Sequence, residues 1–221
     1  MDQDKIIIVN EEIDYIIRNI EAVKALLECY EIAQIKFPQW LKQCIYEKIK
    51  TKLDSGDMSF WESIELEEDE AIFLYPEDKF YLQRNDDFYL GLCWGIESFK
   101  WEEIDIDISD LDEGMWCFLS YDVPENYKKK KKIKTNIENW ENKLIKYVKN
   151  FKCPNINLQK FPNDEDEQYL IAYQLGHILN VKEISQNPEE VIDRVAELFI
   201  QFVKDTLPIV ENNPLPEKLL D

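Results

Sequence analysis

Apolar residues near the start of the chain recur at helical spacing. Ile13, Ile16, Ile17, Ile20, Val23, Leu26, Leu27 and Tyr30 fall three or four positions apart. That spacing predicts a helix over about residues 11–34 with one apolar stripe, and Asn10 is placed to cap it. Pro38 interrupts the pattern. Trp40, Leu41, Cys44, Ile45, Ile49 and Leu53 then predict a second helix, ending near Ser55 and Gly56. The expectation is an N-terminal helix pair, a hairpin or one kinked unit, joined near Phe37 and Pro38.

The period changes over residues 71–123. Short aromatic and branched runs occupy 71–75, 79–83, 88–94, 99–106 and 115–121, separated by turn-forming residues at 76–78, 84–87, 95 and 113–114. This pattern predicts an antiparallel β-meander. The run 88–94 is almost wholly apolar, which places it centrally and covered on both faces. The run 99–106 alternates: Trp101, Glu103, Asp105 and Asp107 take one face, Glu102, Ile104, Ile106 and Ile108 the other. Its charged face suits an edge strand. Trp61, Ile64 and Leu66 suggest a short strand or a turn of helix, and residues 169–175 suit either a sixth strand or the start of a helix.

Pro124 closes the meander. A helix is predicted over 127–151, with Ile133, Ile137, Trp140, Leu144, Tyr147, Val148 and Phe151 on one side and lysines on the other. A last helix is predicted from Pro188 to about residue 207. Asn187 is its N-cap, Glu190 completes a capping box, and Pro208 ends it. Its buried stripe is Val191, Ile192, Val195, Leu198, Phe199, Phe202 and Val203. The fold class expected is therefore α+β: a β-meander of five or six strands flanked by an N-terminal helix pair and two C-terminal helices. It is expected as one domain over residues 1–210, with 211–221 a flexible tail.

Composition changes this picture in one respect. The chain carries a net charge of −20 at pH 7, and the charge is unevenly spread. Residues 57–125 hold 21 acids and 3 bases, a net −18, whereas 126–160 hold 2 acids and 11 bases, a net +9. The acidic excess lies in the sheet region, and the segment after it is basic. Apolar residues at 45% are enough to build a core, so the acidity does not imply disorder.

Catalytic and cofactor motifs are scarce. Five glycines leave no Gly-rich phosphate loop, and no Gly-x-Ser-x-Gly elbow occurs. One histidine, His177, and five scattered cysteines without a CxxC pair do not suggest a zinc site. The expectation is no cofactor, no metal and no catalytic residue. No apolar run is long enough to span a membrane and no signal peptide is evident, so a cytoplasmic protein is expected.

Two function classes follow. The first is a non-enzymatic module that offers an acidic face to a basic protein partner, as an inhibitor, an immunity protein or a regulator of a nucleic-acid-acting protein. Its binding surface would be Glu67, Glu68, Asp69 and Glu70 with Glu103, Asp105 and Asp107. Period-2 spacing sets the last three about 7 Å apart on one strand face, near the spacing of phosphates along a nucleic-acid strand. The basic helix face, Lys128, Lys129, Lys130, Lys131, Lys132 and Lys134, would be balanced by the acidic sheet. Nucleic acid is possible there but not favoured, because cations in a first helical turn oppose the helix dipole and call for a nearby anion. The second class is a divalent-metal-dependent nuclease of PD-(D/E)XK type, or a defence-associated nuclease-like domain. It would use Glu77 and Lys79 with Asp69 or Glu70 upstream, and it requires those side chains to converge.

Overall fold

The computed structural model describes residues 16, 18–56, 61–66, 71–85, 88–97, 115–124, 131–156, 169–175 and 181–220. The elements in chain order are α1 (Ile20–Ser55), β1 (Trp61–Leu66), β2 (Ala71–Pro76), β3 (Tyr81–Asn85), β4 (Phe88–Glu97), β5 (Trp116–Asp122), α2 (Lys131–Val148), β6 (Tyr169–Gln174), α3 (Val181–Gln186), α4 (Pro188–Glu211) and α5 (Glu217–Leu220). This is the α+β class expected, with an antiparallel sheet of six strands.

The sheet runs β1-β2-β4-β5-β6, and β3 also pairs with β4. β2 and β3 thus lie end to end along the same neighbour. Leu74 faces Trp94, and Tyr81 faces Gly91. Seven residues advance on one side against three on the other, so four residues, 77–80, are looped out. Phe80 N–H closes this bulge on Glu77 O, and Leu92 N–H donates to Phe80 O. Gly91 sits opposite the bulge at φ +136°, and a Cβ there would stand 2.2 Å from Phe80 O. Only glycine fits this backbone angle and this close approach.

β4 is central, paired on both edges, as its apolar run implied. Leu90, Leu92, Trp94 and Ile96 point to one face, together with Ile72, Leu74, Cys117 and Leu119 of the neighbouring strands. The helices cover this face. Leu41, Ile45, Ile49 and Leu53 of α1, Ile137, Trp140 and Leu144 of α2, and Val191, Val195, Phe199, Phe202 and Val203 of α4 join one core. Two indoles are tied in as well as packed: Trp94 Nε1 donates to Thr206 Oγ1 at 2.8 Å, and Trp140 Nε1 to Asn213 O at 3.0 Å. The buried Asp205 carboxylate accepts from Asn155 N–H, Asn155 Nδ2 and Gln201 Nε2, which pins the segment after α2 to α4.

Four local expectations are corrected. The N-terminal helix pair is a single helix of 36 residues with Pro38 inside it. Pro38 is buried, and the Leu41–Ile45–Ile49–Leu53 stripe begins directly after it. Burial of that stripe outweighs the roughly 3 kcal/mol cost of an interior proline. Pro208 likewise lies inside α4, which continues to Glu211 because Ile209 and Val210 beyond it are fully buried. The capping box at Asn187 is not formed: its side chain makes no cap hydrogen bond. Instead α3 runs straight into α4, with Asn187 N–H donating to Glu183 O and Arg194 pairing with Glu183 at 2.9 Å. The last residues are not loose. Leu215 and Leu219 are 3% exposed, and Leu215 N–H donates to Lys79 O at 2.8 Å, docking this segment on the bulge. Residues 169–175 resolve as a strand. The expected strand 99–106 lies outside the described residues, as does Asn10.

Phe199, with no exposed surface, is the largest side chain that α4 adds alongside Phe202. Phe199→Ala is expected to cost about 3–5 kcal/mol in urea unfolding, the range for large-to-small core changes. A loss below about 1 kcal/mol would show that the α4 stripe does not carry the sheet–helix core.

Candidate functional site: an aromatic cavity on the outer sheet face

The side chains that alternate with the core stripe face away from the helices. On β2 these are Phe73 and Tyr75, on β3 Tyr81, on β4 Tyr89, Gly91, Cys93, Gly95 and Glu97, on β5 Trp116, Phe118, Ser120 and Asp122, and on β6 Tyr169. Register sets them in cross-strand rows. Phe73 faces Gly95, which faces Phe118; Tyr81 faces Gly91, which faces Asp122; Cys93 faces Ser120.

The glycines shape the face. A Cβ on Gly95 would lie 2.3 Å from Phe118 Cζ, so the Phe118 ring lies over the bare backbone of β4. Phe73 and Phe118 then meet edge to face at 5.9 Å. The rings continue in both directions. Phe73–Tyr75 is 6.0 Å, Tyr75–Tyr81 4.5 Å and Tyr81–Tyr89 6.2 Å on one side. Phe118–Tyr169 is 4.8 Å and Trp116–Tyr169 5.8 Å on the other. Seven rings form a continuous wall at separations favourable for offset or edge contacts.

All of these rings except Trp116 line a cavity of about 410 Å³, together with Cys93, Glu97, Ser120, Tyr121 and Asp122. The polar groups are ordered. Glu97 accepts hydrogen bonds from Trp116 Nε1 and from the Tyr169 hydroxyl. Cys93 Sγ and Ser120 Oγ share one at 3.2 Å. Burial raises the Tyr81 hydroxyl far above the ordinary range, so it stays protonated. Tyr121 is raised by burial and then by Glu141. Burial also raises the Asp122 carboxyl, partly offset by the Val123 N–H. Among the described residues Asp122 forms no ion pair, and it lines the cavity. The chemistry available is π-faces, two carboxylates and hydroxyl groups, which suits a cationic or planar guest.

The residues predicted from the sequence fare differently. Glu67, Glu68, Asp69, Glu70, Glu103, Asp105, Asp107, Lys128, Lys129 and Lys130 lie outside the described residues, and so does His177. Lys131 opens α2. Lys132 and Lys134 are exposed, and Lys134 pairs with Glu138 of its own helix at 3.7 Å. α2 packs on the core face, the side of the sheet away from the cavity. Glu77 and Lys79 sit in the exposed bulge and bind each other at 2.8 Å. Asp78 beside them raises the Glu62 carboxyl by charge repulsion. Among the described residues no group of three or more His, Cys, Asp and Glu side chains could hold a metal ion.

Sequence reasoning missed the cavity because it weighed charges and catalytic triplets. The usable signal was period-2 spacing of Tyr89, Gly91, Cys93 and Gly95. Two glycines four apart inside an otherwise apolar strand mark a place where something approaches the backbone. Compared with known proteins, the chain matches no family model, no curated protein and no solved structure. Among the described residues no helix is long and apolar enough to cross a membrane.

The raised Asp122 gives a pH test. Its folded-state pKa lies above the unfolded value of 3.8. Its contribution is therefore most favourable below the unfolded value and is lost as pH rises through the folded one. Asp122→Asn removes that loss. The variant is expected to unfold at higher urea than the parent at pH 7, with the gap shrinking toward pH 4. A gap that stays constant or widens on acidification would show that Asp122 is not held in a desolvated site.

Proposed function

We propose that the protein is a non-enzymatic binding module, and that its cavity receives a cationic side chain, an arginine guanidinium above all, from a basic protein partner. One observation carries this reading: six rings of the aromatic wall and two carboxylates, Glu97 and Asp122, line one cavity. A guanidinium is planar, weakly hydrated and stacks on aromatic faces while its N–H groups bond carboxylates. Asp122 is a half-buried carboxylate, and a partly desolvated charge is steadied by a partner. The guest would supply the pair.

The surrounding charge supports the same partner. The segment 57–125, which contributes five of the six strands, carries the net −18. A field of that sign draws a basic protein toward the sheet and repels nucleic acid. In this reading Glu67, Glu68, Asp69, Glu70, Glu103, Asp105 and Asp107 steer the encounter and the cavity gives it a fixed point. An inhibitor, immunity protein or regulator of a nucleic-acid-acting protein meets this kind of partner. We place it in the cytoplasm, in keeping with five free thiols, three of them buried.

The test is titration calorimetry with a short arginine-rich peptide and the same peptide carrying citrulline in place of arginine. The two differ in charge and hardly in shape. The arginine peptide is expected to bind, the citrulline peptide at least about tenfold more weakly, and Tyr89→Ala or Asp122→Asn to weaken arginine binding by about threefold to tenfold. Equal binding of both peptides, or none, sinks the cavity assignment. Replacing Glu103, Asp105 and Asp107 together by Ser is expected to slow association at low salt and leave the dissociation rate unchanged. An unchanged association rate would reduce those three to a solvated surface.

A further inference from the structure

The aromatic cavity is a trough that runs along β4. Small residues, Gly91, Cys93 and Gly95, take successive outward positions of that strand, and Ser120 of β5 stands opposite Cys93. They keep the strip low, and the Phe118 ring fills the place above Gly95. The two carboxylates stand at opposite ends of this strip. Glu97 lies three outward positions beyond Gly91, and Asp122 is the partner of Gly91 on β5. At the rise of a β-strand, the two are about 20 Å apart along the sheet.

Among the described residues that line the cavity, only these two are charged. Two uncharged donors, Trp116 Nε1 and the Tyr169 hydroxyl, orient Glu97. Asp122 is half-buried at the other end, beside Gly91 and Tyr81. Between them lie the Cys93–Ser120 contact and the Phe73 and Phe118 rings. A separation of about 20 Å is twice the Debye length of roughly 10 Å, so each carboxylate needs a counter-charge of its own. No single arginine side chain spans that distance.

Building on the arginine reading of the cavity, we infer that the partner offers an extended segment with two arginines six residues apart, one for Asp122 and one for Glu97. An extended chain laid along β4 advances at the same rise per residue and turns every second side chain to one face. Its first inward side chain then stands over the Gly91–Asp122 pair, and the inward side chain six residues on stands over Glu97. The two inward positions between them meet Cys93 with Ser120, and Phe118 over Gly95. Those places offer no carboxylate, so short uncharged side chains suit them. A helix of about 13 residues covers the same span, but its curved surface meets a sheet at few points, whereas an extended segment keeps every second side chain over the trough. Each arginine also finds an aromatic face at its end of the trough: Tyr81 beside Asp122, and Tyr169 beside Glu97.

The experiment is titration calorimetry of the full chain with three acetylated, amidated nine-residue peptides of serine and threonine. One carries arginine at its second position alone, one at its second and fourth, and one at its second and eighth. The last two have equal charge, so the surrounding field favours neither. The widely spaced peptide is expected to bind at least about tenfold more tightly than the one-arginine peptide, and the closely spaced one within about threefold of it. In Glu97→Gln the amide oxygen can still accept from Trp116 and Tyr169. On that variant the ratio of the widely spaced to the one-arginine affinity is expected to fall to about one, whatever the variant does to stability. If the one-arginine peptide binds and the widely spaced one gains less than about threefold over it, the two-point inference is overturned and the arginine reading stands. If none of the three binds, both are overturned. Equal affinities for the two doubly charged peptides overturn the spacing. A ratio that survives Glu97→Gln overturns Glu97 as the second contact.

Discussion

The two-sided burial of β4 is the constraint on which the rest of the molecule depends. Every described side chain of this strand from Leu90 to Ile96 is buried, yet the two faces are built for different ends. Leu90, Leu92, Trp94 and Ile96 give the helices a continuous apolar platform, and the Trp94–Thr206 hydrogen bond fixes α4 on it. Gly91, Cys93 and Gly95 make the opposite face shallow, so that rings from β2, β3 and β5 lean inward over it. A larger residue at Gly95 would push Phe118 off β4 and open the aromatic wall. A larger one at Gly91 would clash with the bulge backbone at Phe80. Fold and cavity thus share one strand, and substitutions that enlarge its outer face should disturb both.

The long helices obey the same economy of burial. Neither Pro38 nor Pro208 stops its helix, because in each case buried side chains follow within a turn. A proline inside a helix removes one hydrogen bond and introduces a steric clash, a loss of about 3 kcal/mol. Two or three fully buried leucine or isoleucine side chains return about as much or more. The same reasoning accounts for the last residues. Leu215 and Leu219 bring enough apolar surface to hold the end of the chain against the body, and the Leu215–Lys79 backbone bond joins it to the bulge.

Much of this was legible in the sequence, and the rest was not for specific reasons. Apolar stripes at helical spacing found α1, α2 and α4, and the clustered aromatic runs found β2 to β5. The central place of β4 followed from its unbroken apolar content. Proline misled, because a local rule about backbone donors was set against burial that only tertiary structure reveals. Asn187 misled in the same way: the capping residues are present, but α3 runs directly into α4 and the Asn187 side chain makes no cap hydrogen bond. The bulge at 77–80 was read as a hairpin turn, since a four-residue insertion between collinear strands carries the same turn residues as a reversal. The cavity stayed hidden because it is assembled from five strands, whose rings come from segments as far apart in sequence as Phe73 and Tyr169.

In the proposed reading, charge and shape divide the work of recognition. Clustered carboxylates repel one another and cost stability, as Glu62 beside Asp78 illustrates with its raised pKa. On a fold of this size such a cost can be carried, since the core is extensive and the pairs Lys48–Asp193 and Lys52–Glu197 link α1 to α4 at its edge. A diffuse negative field acts over about a Debye length, roughly 10 Å, and selects for sign alone. A cavity walled by aromatic rings acts at contact and selects for shape. Held together on one sheet, the two would discriminate a guanidinium from a hydrated ammonium, because only the former is planar enough to lie along the ring wall and forked enough to reach a carboxylate at the same time.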